Sequence, residues 1–118
     1  MPDPYINVSR HAEDVFDSLR AMGAVVPVTL SAPFMVGTLN SLENSAAVMP
    51  ELMTKLSSAL GRSLEEHPMV STDGKDPVDR VKLAEAHLFI AAQLAHELSQ
   101  ELRGAQNAIA PITYRQGR

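Results

Sequence analysis

The sequence predicts an all-α fold, an antiparallel three-helix bundle, on three observations. Apolar residues recur at alternating steps of three and four over most of the 118 residues, a spacing that gathers them on one stripe of a helix. Hydrophobic residues make up 45% of the chain but aromatic ones only 4%, so Ala, Leu, Val and Met carry the apolar surface, as suits close-packed helices. The one stretch rich in β-branched residues, Ala24 to Leu30, is too short to form a sheet and has no second strand to pair with.

The first helix is expected over residues 4–22. Tyr5, Val8, Ala12, Val15, Leu19 and Met22 form its stripe, Asp3 and Pro4 supply a cap and a first-turn proline, and Gly23 is placed to end it. Ser9 offers a later start. Ala24 to Leu30 then reads as an extended connector. The second helix is expected over 32–61, with Met35, Leu39, Leu42, Ala46, Met49, Met53, Leu56 and Leu60 in register. Pro50 falls inside it, removing one backbone donor and crowding the preceding turn. Because the stripe keeps its register across Pro50, one kinked helix is favoured; a split there would make the bundle four-helical.

Residues 62–76, with Pro68, Ser71, Thr72 and the pair Asp73–Gly74, read as the main loop. Asp76 and Pro77 repeat the cap-plus-proline device, Asp79 adds first-turn negative charge, and the third helix is expected over 77–109. Val81, Leu88, Ala95, Leu102 and Ile109 recur every seventh residue, and Ala84, Ala91, Leu98 and Ala105 follow three positions later. With Leu83, Phe89, Ile90 and Leu94 added, the first half of this helix is apolar around most of its circumference and is expected at the bundle centre. After Ala95 the remaining faces turn polar. Pro111 ends the helix, leaving a polar tail over 111–118.

Composition and motifs narrow the chemistry. No cysteine means no disulfide framework and no thiolate site. His96-Glu97 resembles the start of a zinc-protease helix, but Gln100 stands where a second His is needed. No Glu-x-x-His pair of the di-iron kind occurs, and Asp73, Asp76 and Asp79 lack the order and closing Glu of a calcium loop. There is no Gly-x-Ser-x-Gly elbow and no phosphate-binding glycine loop. A non-enzyme with no metal, no cofactor and no small-molecule substrate is expected.

Partners are constrained similarly. The formal charge is −4, and Arg62, Lys75, Arg80 and Lys82 are interspersed with Glu65, Glu66, Asp73, Asp76 and Asp79, so no phosphate-tracking stripe forms and nucleic acid is not an expected partner. Gly23, Pro27 and Pro33 break the most apolar stretch, Ala21 to Val36, so no membrane span is expected and the cytoplasm is the default location, with secretion the alternative. In the second half of the third helix only the seam is apolar. A partner helix or a second copy is therefore expected over Leu98, Leu102, Ala105 and Ile109.

The run Leu83-Ala84-Glu85-Ala86-His87-Leu88, then Ala91-Ala92-Gln93-Leu94-Ala95-His96-Glu97-Leu98 and Ala105-Gln106-Asn107-Ala108, resembles short alanine-rich helical proteins of actinobacterial genomes and mobile elements. That family implies no established activity. In length and shape the helical hairpin also resembles small type VII secretion substrates, which carry a Trp-x-Gly turn that this chain, without tryptophan, lacks. The resulting expectation is a non-catalytic helical interaction or accessory module. The alternatives are a secreted helical-hairpin partner protein and a small DNA-associated regulator of a mobile element.

Overall fold

A computed structural model describes residues 4–115, and the expected cap at Asp3 and the tail residues Gln116, Gly117 and Arg118 lie outside the described residues. Three α-helices and no strand occur among them: α1 (Pro4–Val25), α2 (Ala32–Glu66) and α3 (Pro77–Ile109). Two compact units make up the chain, one over Met1–Ser31 and the other over Ala32–Arg118.

The first unit is α1 and the segment after it. The helix passes Gly23, and the amide of Val26 still donates to the Met22 carbonyl at 3.1 Å, so a lone glycine costing about 1 kcal/mol does not stop it. Within α1 the Arg20 guanidinium lies 5.9 Å from the Phe16 ring centroid, in cation–π range.

The second unit is built from α2 and α3, which pack on one another. Pro50 sits inside a continuous α2, leaving the Ala46 carbonyl without its usual donor four residues on. The helix also passes the expected stop at Gly61 and runs to Glu66. Leu64, half-buried, extends the stripe of Leu60, and the Ser63 hydroxyl donates to the Leu60 carbonyl at 2.6 Å. Apolar continuation outweighs the glycine here.

Between the helices, Gly74 takes a left-handed φ of 77° and donates its amide to the Ser71 carbonyl, a conformation that favours glycine. Asp73 accepts from the Lys75 amide at 3.1 Å and forms an ion pair with Arg80. Asp76 caps α3, its carboxylate accepting from the Val78 amide at 3.0 Å, with Pro77 in the first turn and Asp79 at the positive end of the helix. At the other end Ala110 donates to the Gln106 carbonyl before Pro111 prevents continuation.

The buried hydrophobic residues among those described are Ala46, Val81 and Ala95, and none of the large side chains is fully buried. The expectation that the first half of α3 lies at a bundle centre is not met in this unit: Leu83, Phe89, Ile90 and Leu94 are all exposed. One apolar helix packed on another covers only part of each circumference, so the rest stays open.

Candidate interaction surface

The seam between α2 and α3 is where their side chains bond. Glu43, the charged residue among the buried ones, accepts from Gln106 Nε2 on one carboxylate oxygen at 2.8 Å. Its other oxygen accepts from Arg103 Nε and Nη2, each at 3.0 Å. Gln106 and Arg103 thus satisfy both oxygens of a side chain only 10% exposed, while the Arg103 side chain remains 65% exposed. Further along, a Cβ on Gly61 would lie 3.8 Å from Glu85 Oε1, in ordinary contact. Glu43 was not among the expected site residues, though its position four after Leu39 and three before Ala46 places it on the apolar stripe of α2.

The expected seam residues of α3 divide. Leu102 and Ile109 are half-buried, while Leu98 is 50% exposed and Ala105 is exposed. In place of Leu98 the buried position is Ser99, only 7% exposed, whose hydroxyl donates to the His96 carbonyl at 2.7 Å. In place of Ala105 it is Gln106 that turns toward α2. The physical reason is size and bonding. Small residues let helix backbones approach closely, and a serine that bonds its own helix needs no partner across the seam.

Two apolar shoulders remain open on these helices. On α3, Leu83, Ile90, Leu94 and Leu98 lie roughly 70–150° around the axis from the seam, and Leu94 is 59% exposed. On α2, Met49, Leu52 and Leu56 lie roughly 80–130° from the seam, rotated in the same backward sense. Positions at these angles between residues 38 and 63 of α2 are Thr, Ser, Met, Leu or Ala, and between 83 and 98 of α3 they are Leu, Ala, Ile or His. Between these bounds neither shoulder carries Asp, Glu, Lys or Arg; on α3 the uncharged stretch ends at exposed Glu101, five full turns beyond Leu83 and at the same angle.

The forward side of the seam differs. Pro50, Glu51 and Thr54 of α2 and Phe89, Gln93 and His96 of α3 border an open groove of about 590 Å³. Glu51 is engaged by Lys55 at 3.3 Å, and His96 and Glu97 are exposed. Among the described residues no group of three or more His, Asp or Glu side chains could hold one metal ion, and no buried side-chain polar atom lacks a hydrogen-bond partner. No helix among them is long and apolar enough to cross a membrane. The arrangement therefore offers solvated polar groups around the exposed Phe89 ring on one side of the seam and uncharged aliphatic surface on the other. The chain matches no family model, no curated protein and no solved structure.

Proposed function

We propose that the chain is a non-catalytic helical protein-interaction module that docks a partner through the apolar shoulders of α2 and α3, these two helices forming an antiparallel hairpin. The order of neighbouring positions supports the arrangement: Glu43 bonds Arg103 and Gln106, whereas Gly61, further along α2, lies beside Glu85, earlier on α3. Counting along both helices from these two crossings brings Met49 level with Leu98, Leu52 with Leu94, and Leu56 with Ile90. In antiparallel helices a backward rotation on each leads to the same side of the pair. The two shoulders then merge into one face of three aliphatic rungs.

The observation that carries the reading is this uncharged face with exposed Leu94 at its middle. Contiguous apolar surface of this kind marks interaction sites, since leaving it in water costs free energy that a partner recovers. Expression in the producing cells with a photo-crosslinking amino acid at position 94 or 52 tests it. Discrete protein adducts are expected from those positions and none from position 93, which lies on the polar side. Absence of adducts from both face positions overturns the reading.

A further inference from the structure

We propose that the occupant of this face is a second copy of the same chain, two hairpins closing into a four-helix bundle about a two-fold axis. The inference rests on the reading of the face as an interaction surface and names the partner. Area is the first argument. From their fractional exposures, Met49, Leu52, Leu56, Ile90, Leu94 and Leu98, with Leu83 beyond them, leave on the order of 600 Å² open per copy, so a pair would bury roughly 1,200 Å², the lower bound for a stable specific interface.

Chemical match is the second. From Leu83 to Leu98 the face has no charged group and pairs with its own copy without desolvating an ion, Glu101 lying at its end, and a two-fold operation supplies an opposing face of equal length and polarity. The third argument comes from the hairpin core. With Ala46, Val81 and Ala95 as the buried apolar residues and no large side chain fully buried, two helices form a single layer that needs another to complete a core. A second hairpin supplies that layer and places Leu52 and Leu94 of both copies at the centre.

Light scattering on the purified full chain over a wide concentration range tests this. The expected result is a mass twice 12.8 kDa that falls to the single mass on dilution. Leu94→Asp should be a monomer that keeps its helical circular dichroism, while Gln93→Asp remains dimeric. If Leu94→Asp unfolds, Leu94→Ala takes its place, and a dimer Kd raised about tenfold or more is expected for a central interface residue. A monomer at every concentration, a dimer indifferent to Leu94→Asp, or an unchanged Kd for Leu94→Ala overturns the inference. A monomeric pure chain that still crosslinks from position 94 to a heavier protein removes self-pairing alone. Loss of all adducts removes the interaction surface as well.

Discussion

On the side of α3 that meets α2 stand Ala92, Ala95, Ser99 and Gln106, whereas Leu83, Ile90, Leu94 and Leu98 occupy the adjoining open side. Val81, Leu88, Leu102 and Ile109 share the meeting side with these small residues, whereas the open side exposes its large aliphatic side chains. Within a helix pair the backbones must come close for contacts to form, and Ala or Ser at the crossing allows this, while Leu holds the axes further apart. Large aliphatic side chains reach out from the pair and gain most where another layer meets them. Ala46, Ala95 and Ser99 bring the seam close where they stand, and the open side is built for reach.

Five further substitutions break that contrast or set its scale, in falling order of expected effect. Ala46, 3% exposed, lies at the seam, and Ala46→Leu should cost about 1–3 kcal/mol by urea denaturation because overpacking forces the helices apart. That cost should not vary with protein concentration, whereas the cost of Leu94→Ala should. An unchanged urea midpoint for Ala46→Leu would mean that proximity is not what the seam requires. Arg103→Leu should cost about 1–2 kcal/mol, since the buried Glu43 side chain loses two donors, with solvent around the exposed guanidinium limiting the effect. Glu43→Leu should cost less, because Arg103 returns to water; the reverse order in the same denaturation series would contradict the placement of Glu43.

Asp76→Ala acts on neither side of α3 and sets a reference. It should lower stability by about 1 kcal/mol through loss of the bond to the Val78 amide, measured by thermal melting. Lys55→Ala removes a solvent-exposed pair with Glu51 and should shift stability by no more than ~0.5 kcal/mol, with the shift vanishing in high salt. A larger effect at Lys55 would place that residue in an interface.

The helices were legible because their signals are local. The three-four spacing of apolar residues and the Asp76–Pro77 pair act within a few residues of chain. Gly23 and Gly61 misled as stop signals, because a glycine's cost is small: backbone hydrogen bonding runs on to the Val26 amide past the first, and half-buried Leu64 continues the apolar stripe past the second. The choice of Ser99 over Leu98 was not legible. A hydrophobic pattern assigns a seam to the most apolar residue, while packing assigned it to the smallest that satisfies its own hydroxyl. Glu43 was hidden for a related reason. Its acceptability inside depends on Arg103 and Gln106, which lie 60 and 63 residues away.

That separation has a kinetic side. In the proposed hairpin the turn after α2 brings Gly61 and Glu85 together by closing a short stretch of chain, and each later pair closes a longer one at a rising entropic cost. Zipping therefore proceeds away from the turn, through Ala and Ser positions that would tolerate a slip of one helical turn. Glu43 meets Arg103 and Gln106 only near the end. In that order it would serve as a latch, verifying alignment after most of the seam has closed. Variants at this point should then hasten unfolding more than they slow folding, and amide protection should decline from the turn toward the latch.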